Sequence, residues 1–406
     1  MPKEIYNEYL RLLAELEEYN ATKIPLCAAE TFCSPFVKSA LNSEFEGKYC
    51  MHHLSYDMPN DFVGSHYVHK LYNLLARQCK KMFNCAYADA RPLSGLNCIS
   101  LVINATLPRG SKVLLTTAEQ GGHPSIPLIL DLAGIEFDEI PYDYHAVDIN
   151  YELLNQLLSS DDYDGIIIAQ SDLLMPADIS KIKARNKLTI YDATQTLGFI
   201  ATQLHKNPLD SHDNLTLIGG THKTLPGPTA GLVLLRNDNL ISTIDSFISP
   251  SYLRNTQPNN IAGVLLALLE MEQFGRDYLL NTVKNGNILG QLLSEAGFRV
   301  IQLSNGSYTT THQIFVSVTK DEKDIIVRNA HKYAVTLNGK EKKLFGGHGI
   351  RLGLQEITRY GWGKEEMCKL IDLMKELRKS SPNANVINEI KHDIGRRKNA
   401  YFVFDN

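Results

Sequence analysis

Between residues 86 and 235 the chain alternates short apolar runs with stretches of helical periodicity. The apolar runs predict strands at 112–116, 135–140, 165–170, 188–193, 215–220 and 231–235, after a short strand-like segment at 86–93. The stretches between them predict a helix that opens at Ser94-Gly95 and further helices at 124–133, 151–158 and 178–186. Apolar strands separated by helices are typical of a mostly parallel sheet covered on both faces.

The pattern changes after Pro258. A long helical segment at 260–295, interrupted near Gly275, leads to a group of shorter elements. These are strands at 298–303, 313–319 and 349–354 and helices at 321–332 and 364–379. They predict a smaller α+β unit, and the segment SYLRNTQ between Pro250 and Pro258 places the boundary near 250–260.

The two ends of the chain add little chemistry. Leu10, Leu13 and Leu16 lie at helical spacing and predict an amphipathic arm. The basic end, IKHDIGRRKNAYFVFDN, indicates a solvated helix face and a tail. The predicted parts are therefore a helical arm at 1–20, a large domain at 21–255 and a small C-terminal domain at 256–406.

Composition excludes several classes of function. The formal net charge is −4, from 41 Lys and Arg against 45 Asp and Glu, which offers no electrostatic basis for binding nucleic acid or an anionic membrane. The longest apolar runs are far shorter than the roughly 20 residues of a membrane helix. The seven cysteines are scattered without C-x-x-C spacing, and the acidic N-terminus lacks a signal-peptide core. We therefore expect a cytoplasmic protein without a metal site.

A lysine follows the predicted strand LTLIGG, in the motif GGTHKTLPGP at 219–228. Lys223 would stand at the carboxyl edge of a parallel sheet, where ligands bind in doubly wound folds. Its neighbours are small or hydroxylated, and none is acidic. On this motif alone two interpretations stay open, a ligand-binding lysine and an ordinary surface lysine in a loop.

An aspartate closes the predicted strand LTIY, 31 residues before the lysine (223 − 192). An unpaired buried charge is costly, and Asp192 has no basic neighbour in sequence. A protonated ring nitrogen is a suitable partner, because a lysine Schiff base with an aspartate on the pyridinium nitrogen is what proteins contribute to pyridoxal phosphate chemistry. The alternative interpretation is that Asp192 only caps the next helix.

Two further pieces fit the same chemistry. Ser94 and Gly95 open a helix, whose free backbone N–H groups and positive dipole end suit a phosphate. His123 follows strand KVLLTT, where a histidine can lie on the face of a ring. A single loop histidine indicates little, but the order of phosphate turn, histidine, aspartate and lysine is more specific than any one of them.

With these motifs in order, the chain resembles serine hydroxymethyltransferase and its relatives. The resemblance runs from about residue 40 to 375 and rests on SG at 94–95, GGH at 121–123, YDATQ at 191–195, THKTLPGP at 221–228 and GIRLG at 349–353. It implies an α/β protein of the aspartate-aminotransferase type (fold type I). Such a fold has a large domain with a mostly parallel seven-stranded sheet and a smaller C-terminal α+β domain. It also implies pyridoxal 5′-phosphate as the cofactor.

The resemblance implies a role for each matching position around the cofactor. The matches are Lys223 for the Schiff-base lysine, Asp192 for the pyridinium partner, His123 for the ring-stacking histidine, Ser94 and Gly95 for the phosphate turn, and Ser171, Gln195 and His222 for further cofactor contacts. Arg351 matches the arginine that grips the substrate α-carboxylate, a role suited to its planar guanidinium. Glu46 matches the acid/base glutamate that the family supplies from the neighbouring subunit, which implies a homodimer with composite active sites.

Several positions depart from the family pattern. Gln195 replaces a histidine, Leu96 a hydroxyl-bearing residue, Thr229 an arginine, Phe62-Val63 a tyrosine pair, and RNTQPNN at 254–260 a double glycine. These changes weaken the case for folate binding and for hydroxymethyl transfer itself. The retained lysine, aspartate, histidine, glutamate and arginine are what cleavage at Cα–H or Cα–Cβ requires.

We therefore predict a pyridoxal-phosphate enzyme that makes or breaks the Cα–Cβ bond of a small β-hydroxy amino acid, as an aldolase, a transaldolase or a hydroxymethyltransferase-like enzyme. Its partners would be a small amino acid and an aldehyde. Two alternatives stay open: racemisation or transamination at Cα, and a catalytically silent subunit. The reaction product, either a free aldehyde or an inverted or deaminated amino acid, separates the first alternative from the main prediction.

Overall fold

A computed structural model describes residues 2–50, 62–160, 162–395 and 398–404. Within them the α-helices are α1 (Pro2–Thr22), α2 (Pro35–Leu41), α3 (His66–Phe83), α4 (Gly95–Thr106), α5 (Ile126–Ala133), α6 (Tyr151–Leu158), α7 (Leu197–Ala201), α8 (Asp238–Ser246), α9 (Pro258–Glu295), α10 (Lys320–Lys332), α11 (Gln355–Arg359), α12 (Lys364–Leu377) and α13 (Ala384–Ile394). The strands are β1 (Ile24–Pro25), β2 (Tyr87–Asp89), β3 (Lys112–Leu115), β4 (Glu136–Glu139), β5 (Tyr142–Asp143), β6 (Asp148–Ile149), β7 (Gly165–Ile168), β8 (Leu188–Asp192), β9 (Leu215–His222), β10 (Pro226–Leu235), β11 (Arg299–Val300), β12 (Gln313–Ser317), β13 (Val335–Thr336), β14 (Asn338–Lys342) and β15 (Gly347–Gly353).

The chain divides by packing into two units. The large unit comprises residues 29–280 and 402–406, and the small unit comprises 1–28 and 281–401. Sequence placed the boundary near 250–260, whereas the division falls inside α9, which runs without interruption from Pro258 to Glu295. The predicted break near Gly275 is wrong, because the helix backbone there packs closely against Met271 and Thr202 instead of turning. The predicted domains 1–20, 21–255 and 256–406 stay a prediction about independently folding parts.

The large unit is built on a mixed sheet, which has seven strands in the described part of the chain, in the order β2-β10-β9-β8-β7-β3-β4. Only the pairings of β10 with β2 and with β9 are antiparallel in this sheet as described, so the other six strands run in one direction. Strands β7, β8 and β9 are almost wholly buried, which explains their near-continuous apolar sequences. The predicted α/β architecture with a mostly parallel seven-stranded sheet is confirmed.

The helical prediction over 178–186 is wrong. Only one 3-10 turn forms there, at Ile179–Lys181. Side chains supply the hydrogen bonds that a longer helix would have made: Asp178 accepts from the N–H of Ser180 at 3.1 Å, and Asn155 accepts from the N–H of Lys183 at 2.8 Å. Such side-chain competition with helical hydrogen bonding is common for Asp and Asn.

The small unit contains an antiparallel sheet in the order β11-β12-β15-β14 and a separate parallel pair, β1 with β13. In that pair Ile24 lies opposite Val335. The buried core of this unit combines the two segments of chain, since Ile24 and Leu26 pack with side chains of α10 and α12. The N-terminal strand therefore packs in the small unit, whereas the sequence assigned it to the large domain at 21–255.

The last described residues belong to the large unit. The ring of Phe404 lies 5.1 Å from that of Phe36 and 5.1 Å from that of Phe274. The backbone N–H of Phe404 also donates to the buried carboxylate of Glu270 at 3.4 Å, and Ser34 donates to the same carboxylate at 2.6 Å. This tail makes specific contacts, which its basic sequence did not indicate.

Candidate active site

Parallel strands bring the predicted residues to one edge of the large unit's sheet. Because β2, β3, β7, β8 and β9 run in the same direction, the segments after their carboxyl ends meet there. These segments carry Ser94 and Gly95 after β2, His123 after β3, Ser171 after β7, Asp192 and Gln195 at the end of β8, and His222 and Lys223 at the end of β9. All eight residues line one cavity of about 180 Å³, together with Leu96, Gln170 and Thr194.

The N-terminus of α4 forms one side of this cavity. Ser94 is the N-cap residue, and its hydroxyl accepts a hydrogen bond from the N–H of Asn97 at 3.1 Å. The first N–H groups of a helix have no acceptor within the helix, and Gly95 and Leu96, which carry them, both line the cavity. A Cβ on Gly95 would lie 2.7 Å from Thr194 Oγ1, so only glycine lets the helix end approach the sheet this closely.

Asp192 is held by the turn that follows its strand. Its Oδ1 accepts a hydrogen bond from the N–H of Thr194 at 2.8 Å, and Thr194 Oγ1 accepts in turn from the N–H of Gly220 on β9 at 2.8 Å. Burial raises the pKa of Asp192, while the hydrogen bonds from Thr194 and the positive charge of Lys223 lower it. The raised pKa means that the ionised carboxylate lacks sufficient positive charge around it.

His123 presents one defined edge to the cavity. Its Nδ1 accepts a hydrogen bond from the N–H of Ser125 at 3.2 Å, so the neutral ring carries its proton on Nε2. The backbone N–H of His123 donates to the carbonyl of Ala169 at 2.9 Å. Gly122 is needed before it, because a Cβ there would lie 2.0 Å from the carbonyl oxygen of Thr116. The predicted histidine is therefore fixed in position and tautomer by its own loop.

Lys223 lies in the short turn between β9 and β10. The hydroxyl of Thr221 donates to the carbonyl of Pro228 at 2.6 Å, and the hydroxyl of Thr224 donates to the carbonyl of Gln195 at 3.0 Å. These bonds tie the turn to the following strand and to the Asp192 loop. The backbone of Lys223 is therefore held in place. Its side chain is half-buried, and it lines the cavity.

His222 precedes the lysine and is neutral at physiological pH. Burial, together with the charge of Lys223, lowers its pKa to about 4. Its Nδ1 is buried and has no hydrogen-bond partner among the residues that the structure describes. A polar atom of this kind in a cavity wall is suited to a ligand.

The remaining two residues predicted to contact the cofactor, Gln195 and Ser171, differ in burial. Gln195 is buried. Ser171 is half-buried and is held by its backbone N–H, which donates to the carbonyl of Gly121 at 2.7 Å. Sequence missed Thr194, although an Asp followed two residues later by Thr is a pattern in which the carboxylate accepts from the backbone.

Glu46 and Arg351 are not part of this cavity wall. Glu46 is exposed in the turn after α2, in the large unit, and its carboxylate accepts a hydrogen bond from Asn259 at the start of α9. Arg351 lies on β15 of the small unit and is buried. Its Nε and Nη2 donate to Asn338 Oδ1 at 3.1 and 2.7 Å. Sequence missed both asparagines.

The comparison with protein families covers nearly the whole chain. The sequence model of the serine hydroxymethyltransferase family matches residues 3–374 of this chain. The chain belongs to the serine hydroxymethyltransferase family. Family membership makes it a pyridoxal-phosphate-dependent enzyme that cleaves or forms the Cα–Cβ bond of a small hydroxy amino acid.

The similarity to two individual members is moderate in sequence but extends over almost the whole chain. The chain is 28% identical over 397 residues to the serine hydroxymethyltransferase of Pyrococcus abyssi, which covers 92% of this chain and 91% of that protein. It is 28% identical over 420 residues to the enzyme of Methanobrevibacter smithii, with 98% and 95% covered. The crystal structure of L-threonine transaldolase from Pseudomonas fluorescens in its internal aldimine state has the same fold, with a TM-score of 0.91, 22% identity, and 100% of this chain and 94% of that one covered.

The cavity of this family member fits pyridoxal phosphate on three observations. The N-terminus of α4 offers backbone donors for a phosphate. The raised pKa of Asp192 indicates a carboxylate that a ring cation would stabilise. The buried Nδ1 of His222 is available to a ligand atom.

No helix in the described ranges combines the length and apolar character that crossing a bilayer requires.

Proposed function

We propose that this enzyme interconverts a β-hydroxy amino acid with glycine and an aldehyde, in the manner of an aldolase or transaldolase, without folate. One observation carries the proposal: the cavity at the sheet edge keeps Lys223, Asp192 and His123, which would act at Cα through the cofactor, whereas the tyrosine pair linked to the second substrate is replaced. Phe62 and Val63, in place of a tyrosine pair, line a separate apolar cavity of about 890 Å³ beside Tyr49.

Four residues and the N-terminus of α4 would hold the cofactor. Lys223 would bind it covalently through its amine, Ser94 and the N–H groups after it would bind the phosphate, His123 would lie on the ring face, and Asp192 would keep the ring nitrogen protonated. When bound, the cofactor supplies an electron sink for the charge that develops at Cα. His222, neutral at physiological pH, adds no competing positive charge beside the lysine.

Two further residues would act on the amino acid. Arg351 would bind the α-carboxylate with two parallel charge-assisted hydrogen bonds, and the contact with Asn338 Oδ1 supports this by orienting the guanidinium. Glu46 would take the proton from the β-hydroxyl as the Cα–Cβ bond breaks and return it when the bond forms. General acid–base help of this kind typically contributes about 10²–10⁴-fold.

Glu46 would serve the active site of a second copy of the chain, so we propose a homodimer with composite sites. Exposed apolar side chains on α1 support an association: Ile5, Tyr6, Tyr9, Leu10, Leu12, Leu13, Leu16 and Tyr19. Apolar groups on one helix in such number are favourable to bury. We place the enzyme in the cytoplasm, since its cysteines are free thiols and most are buried.

The test is the product spectrum. The purified holoenzyme is incubated with serine, threonine, allo-threonine and phenylserine, each with and without an added aldehyde, and the products are identified by mass. We expect aldehyde release from at least one β-hydroxy amino acid and exchange of the aldehyde portion when another aldehyde is added. Inverted or deaminated amino acids without aldehyde would instead indicate racemisation or transamination.

A further inference from the structure

Glu46 is an exposed side chain that is nevertheless held in one place. It lies in a series of turns after α2, in which the N–H of Glu46 donates to the carbonyl of Ser43 at 3.0 Å. The side-chain amide of Asn259 donates to the Glu46 carboxylate, at Oε2. The same nitrogen donates to the carbonyl of Leu41, the last residue of α2, at 3.2 Å. An amide nitrogen has two hydrogens, so one can serve each acceptor.

We propose that Asn259 is a positioning residue for Glu46 in the reaction. The inference rests on the acid/base role that the proposed function gives to Glu46. An exposed glutamate samples several rotamers, and fixing a long side chain in one of them costs conformational entropy. Asn259 ties the carboxylate to α9 and to the end of α2. The side-chain entropy is therefore lost during folding, before substrate arrives, and not during the reaction. Groups held in position in this way react faster, because little reorganisation remains in the transition state.

The next residue provides a matched comparison. Asn260 stands on the same turn of α9, but its amide donates to the carbonyl of Thr229 at 3.2 Å and to Gln257 Oε1 at 2.8 Å. It is the same residue type at the same end of the same helix. The two asparagines therefore differ in the group they hold, and only Asn259 is bonded to the proposed acid/base residue.

Four variants of the holoenzyme test the proposal: Asn259→Leu, Asn260→Leu, Glu46→Gln and the double variant Asn259→Leu/Glu46→Gln. Two reactions are measured on each, aldehyde release from a β-hydroxy amino acid and exchange of the glycine Cα proton with deuterium, followed by NMR. Glycine has no β-hydroxyl, so its exchange does not need Glu46 in the proposed role. Cofactor content and thermal midpoint are recorded as checks on folding.

We expect Asn259→Leu to slow aldehyde release roughly ten- to hundredfold and to leave glycine exchange within about twofold. Asn260→Leu should leave both reactions near the parent rate. In the double variant, Asn259→Leu should add no further loss to Glu46→Gln, because the carboxylate that it positions is already gone. If Asn259→Leu fails to fold, Asn259→Ala removes the amide without adding apolar volume and carries the same expectations.

Three kinds of result would overturn the inference, each in a different way. Normal aldehyde release by Asn259→Leu, with a slow Glu46→Gln enzyme, would remove the positioning role and leave the proposed function intact. Normal release by Glu46→Gln would remove the role of Glu46 itself. Equal losses in both reactions, or additive losses in the double variant, would assign Asn259 to structure.

Discussion

The backbone N–H of Thr194 donates to the carboxylate of Asp192 at 2.8 Å. This hydrogen bond stabilises the ionised carboxylate by less than burial destabilises it. Burial still raises the pKa of Asp192. The residue is therefore held in the position required for a cationic partner at a cost to the stability of the protein without its cofactor. A cation that binds beside the carboxylate would offset this cost.

Asp192→Asn should separate stability from binding. A carboxyl whose pKa is raised by folding destabilises the folded state at pH values above that pKa, so the neutral amide should make the apoprotein more stable at pH 7–8. The cofactor should bind about ten- to hundredfold more weakly, since a charge-assisted hydrogen bond is worth about 1.5–3 kcal/mol. Urea unfolding of the apoprotein and a cofactor titration measure the two effects. Asp131→Asn, at an exposed position, is the control, and a variant with unchanged cofactor affinity would contradict the assignment.

His222→Gln should change how stability depends on pH. An unfolded histidine titrates near 6.5, whereas burial lowers the pKa of His222 to about 4. As pH falls from 6.5 towards 4 the unfolded chain takes up a proton that the folded one does not, so the parent loses stability across this window. The glutamine variant lacks this loss, so its free energy of unfolding should rise relative to that of the parent as the pH falls. Unfolding free energies of both apoproteins at pH 7.5, 6 and 5 provide the check; a constant difference at all three would count against a buried neutral histidine.

Lys223→Ala should abolish covalent attachment of the cofactor. The parent protein should be yellow, and borohydride reduction should fix the cofactor to one lysine-containing peptide that includes Lys223. In the alanine variant the visible absorbance and the labelled peptide should both be lost. Lys206→Ala, an exposed lysine of the same unit, should retain both. Labelling of a different lysine in the parent would show that the motif is wrongly assigned.

Arg351→Lys should weaken amino-acid binding without changing cofactor content. Lysine keeps the charge but cannot reproduce the two parallel hydrogen bonds of the guanidinium, a loss of about 1.5–3 kcal/mol or roughly ten- to hundredfold in affinity. Titration of the visible spectrum with glycine or serine measures it. If affinity is unaltered, the arginine serves to brace β14 against β15 through Asn338, and the carboxylate has another partner.

Tetrahydrofolate should have little effect on the reaction. Phe62 and Val63 offer no hydroxyl groups to a polar second substrate, and residues 254–257 contain no glycine. Serine-to-glycine conversion is measured with and without tetrahydrofolate under identical conditions, and the rates are expected to agree within about twofold. Folate-dependent conversion as rapid as that of an ordinary hydroxymethyltransferase would refute the proposal of a folate-free reaction. Residues 51–61, also part of the altered region, lie outside the described structure.

The sheet-edge cavity could be predicted from sequence because parallel strands bring the ends of separate motifs together. Lys223 and Asp192 each follow an apolar run, so their strand and their edge are both visible in the sequence. The partner of Arg351 could not be predicted in the same way. Asn338 lies opposite it on β14, whose sequence NGKEK has no apolar alternation because it is the edge of its sheet. The bond between Asn259 and Glu46 joins residues 213 positions apart, and no local pattern indicates it.

The pairing of β1 with β13 also has a consequence for how the protein is made. Ile24 leaves the ribosome 311 residues before its neighbour Val335, which at about 5–20 residues per second is a delay of roughly 15–60 s. All the strands of the large unit's described sheet have been synthesised by residue 235, within that interval. Ile24 and Leu26, wholly buried in the finished protein, are thus synthesised early but lack this buried environment until β13 has been made.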